Sequence, residues 1–159
     1  VGVVPTDVVI QAAVRPRQSR AARALSRQRR SARVVCIDDD PGFLDVLERL
    51  LETLGVSVET APDGVQGYRA VLRTRPDLVI TDYFLPHECG SYLLRQLKRF
   101  PFTSRVPVVV LTGRDLSADV NPPRDVSLEM RLKELGADAV YNKPLDESLL
   151  RATIHRYLS

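Results

Sequence analysis

Residues 34–41 read VVCIDDDP: four apolar residues, three consecutive aspartates and a proline. A short, unbroken apolar run suits a strand buried on both faces. Pro41 fits the first position of a helix, where a missing N–H costs nothing, and Asp40 fits the cap before it. Beyond Pro41, Phe43, Leu44, Leu47, Leu50, Leu51 and Leu54 recur at three- and four-residue steps until Gly55. That is the spacing of an amphipathic helix with its stop signal. The first unit is therefore strand, acidic turn, helix.

The rest of the chain repeats this plan. Residues 56–60 alternate as a strand, and residues 63–74 place Val65, Tyr68, Val71 and Leu72 at helical steps. Residues 78–81 are apolar between Asp77 and Asp82, and residues 91–100 are helical through Leu93, Leu94 and Leu97. Residues 106–111 form the strongest strand, with Pro107 near its start. A helix over 128–135 ends at Gly136, a short strand covers 139–141, and a closing helix covers 146–157. Five strands alternating with five helices predict an α/β fold: a doubly wound five-stranded parallel sheet with helices on both faces. Its connections are expected to be right-handed crossovers.

The chain has 159 residues, room for one domain and a tail. Its net charge of +3 is unevenly spread. Residues 1–33 hold eight arginines against one acid, Asp7, whereas residues 34–159 hold fifteen basic residues against nineteen acids. Residues 1–32 are expected to be a mobile basic extension, because bulky apolar residues are sparse in the arginine-rich part. Residues 33–159 are expected to be the domain. Nucleic acid enters as a partner only through the arm. No apolar run reaches the roughly 18–20 residues that span a bilayer, so no membrane partner is expected. Two cysteines do not make a disulfide framework and suit a reducing cytoplasm.

In a parallel sheet of this kind the ligand site lies beyond the carboxyl ends of the strands. There the first strand carries Asp38 and Asp39, the third Asp82, the fourth Thr112, and the fifth leads to Lys143 and Pro144. Carboxylates forced together repel and raise a pKa unless a cation is present. Mg²⁺ suits a few carboxylates plus waters and a phosphate. A carboxylate nucleophile, a metal, a lysine and a hydroxyl are the tools for phosphoryl transfer onto an aspartate. His87 beside Cys89 lacks a second spaced pair and reads as loop rather than metal site, and His155 reads as a surface residue.

Taken in order, VVCIDDDP, DLVITDYFLP, VPVVVLTG and YNKPL resemble the receiver domain of two-component response regulators, over about residues 33–159. The resemblance implies a phosphoryl group taken from a histidine kinase or phosphorelay protein. It implies Asp82 as acceptor. Asp39 and Asp82 would be direct Mg²⁺ ligands, Asp38 would act chiefly through water, and Phe84 would lend its backbone carbonyl. It implies Thr112 as the switch hydroxyl, Lys143 as the partner of the phosphoryl group, and Pro144 after a cis peptide bond. The protein would then be a regulatory acceptor catalysing only its own phosphorylation and dephosphorylation, signalling to a downstream protein by contact.

The chain departs from the family pattern in three ways. Val140 stands where an aromatic switch residue is usual, and the neighbouring Tyr141 should face the other way. The stretch 113–127 is longer than the usual link to the fourth helix and is expected to carry the output switch. No effector domain is expected after the last helix. The alternatives are a receiver-like module not regulated by phosphorylation, nucleic-acid contact through the arm, and a metal-dependent phosphotransferase whose nucleophile lies in the first-strand acidic motif.

Overall fold

The computed structural model describes residues 31–86, 90–113 and 127–159. Residues 1–30 of the expected extension over 1–32, the loop at His87 and Cys89, and residues 114–126 of the long link over 113–127 lie outside the described residues. Residues 31–159 form a compact unit of their own.

Five strands and five helices alternate in that unit: β1 (Arg33–Ile37), α1 (Pro41–Thr53), β2 (Ser57–Ala61), α2 (Gly64–Thr74), β3 (Leu78–Asp82), α3 (Gly90–Arg99), β4 (Val108–Thr112), α4 (Leu128–Glu134), β5 (Ala139–Asn142) and α5 (Glu147–Leu158). All pairings are parallel, in the order β2-β1-β3-β4-β5. The sheet is doubly wound, as the sequence predicts. Most boundaries fall within one residue of the sequence-based ranges. The exception is β4, which starts at Val108 rather than at residue 106. Pro107 has no N–H to give a ladder, though its carbonyl accepts from Val79 N at 2.9 Å.

Alternation along the strands sorts the core into two layers. Val35, Ile37, Val79, Val108, Val110 and Val140 face α2, α3 and α4, packing on Val71, Leu93, Leu94, Leu97 and Leu132. Val34, Cys36, Leu78, Ile80, Val109 and Leu111 face α1 and α5, packing on Leu44, Leu47, Leu51, Leu150 and Ile154. With both faces covered, β3 and β4 are buried along their whole length. Among the described residues no helix is long and apolar enough to cross a membrane.

The strand order reverses between β1 and β3, so the chain leaves these neighbours toward opposite faces and opens a crevice at their carboxyl ends. Helix α3 closes on that edge through Gly90, whose N–H donates to Tyr83 O at 2.7 Å. A Cβ at Gly90 would lie 2.8 Å from Asp82 O and 2.9 Å from Tyr83 Cα. Both are backbone atoms that cannot swing aside.

Two outcomes follow. Gly90→Ala should destabilise the fold by about 1–3 kcal/mol in chemical denaturation, because the helix start must move off the β3 edge. An unchanged unfolding midpoint would contradict this close approach. Cys36 is fully buried, and burial, with Glu48 and Asp38 nearby, pushes its thiol pKa far up. In the native protein it should resist iodoacetamide and react only on unfolding. Fast native labelling of the Cys36 peptide, read by mass, would show the sheet to be open there.

Candidate functional site

Backbone ladders that run one step past β1, β3 and β5 hold the candidate site at the sheet edge. Asp38 N donates to Ala61 O at 3.1 Å, extending the β1–β2 pairing. Tyr83 N donates to Leu111 O at 2.8 Å, fixing the residue after Asp82. Lys143 N donates to Thr112 O at 2.8 Å, fixing the lysine beside the end of β4. Residues far apart in sequence are thereby held at one sheet edge.

Asp38, Asp39 and Asp82 come together there, with one carboxylate oxygen from each lying within 4.8 Å of the others. Asp38 and Asp82 are buried, at 2% and 5% exposure, whereas Asp39 is exposed. Lys143 Nζ reaches both buried acids, at 2.5 Å from Asp38 Oδ2 and 3.2 Å from Asp82 Oδ1. The second contact is an ion pair without hydrogen-bond alignment, and Asp82 Oδ1 is buried with no aligned donor. The other oxygen, Asp82 Oδ2, accepts from Phe84 N at 3.1 Å.

Burial pushes the Asp82 carboxyl above the ordinary carboxylate pKa; Lys143 pulls it back, and the charge of Asp38 pushes it up again. Burial alone would lower the Lys143 pKa, but the hydrogen bond and charge of Asp38, with the charge of Asp82, hold it above the usual lysine value. One ammonium thus stands against a set of three carboxylates. The buried oxygen without an aligned donor and the convergent acids fit a divalent cation with oxygen ligands.

The other residues singled out in the sequence take the following positions. Thr112 ends β4 and is buried. The Phe84 ring is 43% exposed and meets Tyr83 edge-on at 4.7 Å. Asp40 caps α1, accepting from Gly42 N at 2.9 Å and Phe43 N at 3.2 Å. The Lys143–Pro144 bond is cis. Val140 and Tyr141 pack on opposite faces of the sheet, so the ring is not available on the Val140 side. His155 is exposed on α5.

One site residue escaped sequence reasoning. The Phe43 ring centroid lies 4.4 Å from Lys143 Nζ. In the sequence Phe43 is one more apolar position of a helix, and nothing local signals a lysine one hundred residues away.

Comparison with known proteins agrees with this geometry. Residues 34–155 match the response regulator receiver domain. The chain is 31% identical over 128 residues to the protein PilH of Pseudomonas aeruginosa, covering 80% of this chain and 98% of PilH. It is 30% identical over 126 residues to the DNA-binding transcriptional regulator RpaA of Synechocystis, covering 79% of this chain but only 48% of RpaA. Among solved structures, it resembles the receiver domain of a sensor histidine kinase from Pseudomonas aeruginosa, which has a magnesium ion coordinated in its active-site cleft. That match has a TM-score of 0.68 and 25% identity, covering 81% of this chain and 98% of the other. With its fold, its acidic crevice and a sequence match over most of its length, the chain belongs to the response regulator receiver domain family.

Proposed function

We propose that Asp82 accepts a phosphoryl group from a phosphohistidine of a sensor histidine kinase or phosphotransfer protein, in a Mg²⁺-dependent reaction, and that the chain passes the signal on by protein contact. The observation that carries this reading is the buried Asp82 carboxylate, 3.2 Å from Lys143 Nζ and clustered with Asp38 and Asp39. In the transfer, an Asp82 oxygen bonds to phosphorus as the phosphorus–nitrogen bond of the donor breaks. The electron pair of that bond stays on the imidazole nitrogen, and a proton on the other ring nitrogen lets the ring leave neutral.

Asp38, Asp39, Asp82 and the Phe84 carbonyl would hold Mg²⁺, which when bound offsets the repulsion among carboxylates and phosphoryl oxygens. Lys143 would pair with a phosphoryl oxygen, and the Thr112 hydroxyl would donate to another. The phosphoryl group adds about −1.5 to −2 charges at pH 7, which gives both residues a new partner. In this reading residues 33–159 are the receiver domain, residues 1–32 a basic extension, and the protein a cytoplasmic regulatory acceptor.

Incubation with acetyl phosphate and Mg²⁺ should add one phosphoryl group by intact mass, and Asp82→Asn should abolish the addition. Equal labelling of that variant would overturn the acceptor assignment. Asp82→Asn should also raise Tm in metal-free buffer, because it removes one of two buried like charges sharing a lysine. A lower Tm would mean that the pair with Lys143 outweighs the repulsion.

The half-exposed Phe84 ring beside the acceptor has no group to orient an attacking water. Phe84→Asn should therefore speed loss of the phosphoryl group severalfold. An unchanged or slower decay, followed by mass over time, would remove Phe84 from that role.

A further inference from the structure

Lys143 Nζ has three close neighbours among the described residues. Two are the Asp38 and Asp82 carboxylates, and the third is the Phe43 ring. At 4.4 Å the ring centroid is well inside the roughly 6 Å range over which an aromatic face attracts an ammonium.

Phe43 is not placed there by helix packing alone. Asp40 N donates to Asp38 Oδ1 at 3.0 Å, and Asp40 Oδ1 in turn accepts from Phe43 N at 3.2 Å. The Phe43 ring then meets Lys143 Nζ, and Lys143 Nζ returns to Asp38 Oδ2 at 2.5 Å. These four contacts close a loop, Asp38–Asp40–Phe43–Lys143–Asp38. The helix cap, the aromatic ring and the lysine are tied to the two oxygens of a single carboxylate.

We infer that Phe43 is a positioning residue for Lys143, holding its ammonium over Asp82 by a cation–π contact; the catalytic consequence rests on the acceptor reading above. The two carboxylates hold the ammonium by charge. When a divalent cation engages their oxygens, that charge is shared and the cation repels the ammonium. The ring is neutral, and its attraction does not compete for the same oxygens. Phe43 is therefore the neighbour whose hold on Lys143 survives loading of the site. It also covers one side of an ammonium whose side chain is only 21% exposed, which limits its escape to water.

The test compares Phe43→Leu, which keeps apolar bulk without a π face, with Phe43→Tyr, which keeps the face. Without metal or donor, the Lys143 ε-methylene proton resonances of the wild type should be shifted upfield by the ring. The shift should vanish in Phe43→Leu and persist in Phe43→Tyr. At saturating Mg²⁺, acetyl phosphate should label Phe43→Leu about three- to tenfold more slowly than the wild type. Its Mg²⁺ Kd should stay within about twofold, and Phe43→Tyr should restore most of the rate; both ranges assume loss of one cation–π contact. Unshifted wild-type resonances, a Phe43→Leu rate within about twofold of wild type, or a Phe43→Tyr rate as slow as Phe43→Leu would overturn the proposal. If the wild type takes no phosphoryl group on Asp82, the acceptor reading fails, and with it the catalytic role of Phe43. The methylene shift still decides the positioning contact.

Discussion

Two buried carboxylates, Asp38 and Asp82, sit at one sheet edge with one ammonium between them. Buried charges of like sign are costly unless paired, and removing the partner of such a pair costs about 3–5 kcal/mol. Lys143 is therefore a condition for keeping this edge dry as well as a candidate site residue. Its own charge is secured by the acids it serves, because their attraction outweighs the effect of burial. The balance remains incomplete. Asp39 adds a third carboxylate, and the buried Asp82 Oδ1 has no aligned donor. The site is built with an unmet demand for positive charge.

The parallel sheet makes this arrangement possible without loops holding it together. Both faces of β3 and β4 are covered, so the strands cannot slip without moving an entire layer of apolar side chains. The ladders continue one residue beyond β1, β3 and β5 and carry Asp38, Tyr83 and Lys143 into register. Gly90 lets α3 start against the Asp82 and Tyr83 backbone, which closes the edge from one side. On the other side the Asp40 cap turns the chain into α1 and brings Phe43 toward the lysine.

The fifth strand shows how side-chain alternation limits what the fold can do. Val140 belongs to the layer facing α2, α3 and α4, and Tyr141 to the layer facing α1 and α5. A one-residue difference in the position of an aromatic ring on a strand moves it across the sheet. The Tyr141 ring therefore lies on the wrong face for a rotation coupled to Thr112 on the Val140 side.

Much of this was legible in the sequence because it depends on local periodicity and on where strands stop. The apolar run ending at Asp38, the spacing of Leu44, Leu47 and Leu51, and the Asp40–Pro41 cap determined strand, turn and helix without reference to distant residues. Asp38, Asp39, Asp82, Thr112 and Lys143 were identifiable as strand-end residues for the same reason. The start of β4 was misread by two residues, since apolar character alone does not register that Pro107 lacks an N–H. The contact of Phe43 with Lys143, the aligned donor missing at Asp82 Oδ1 and the backbone approach at Gly90 were decided only by tertiary structure. Each is a distance between elements far apart in the chain, and the sequence pattern of one element carries no record of which atoms its neighbour will present.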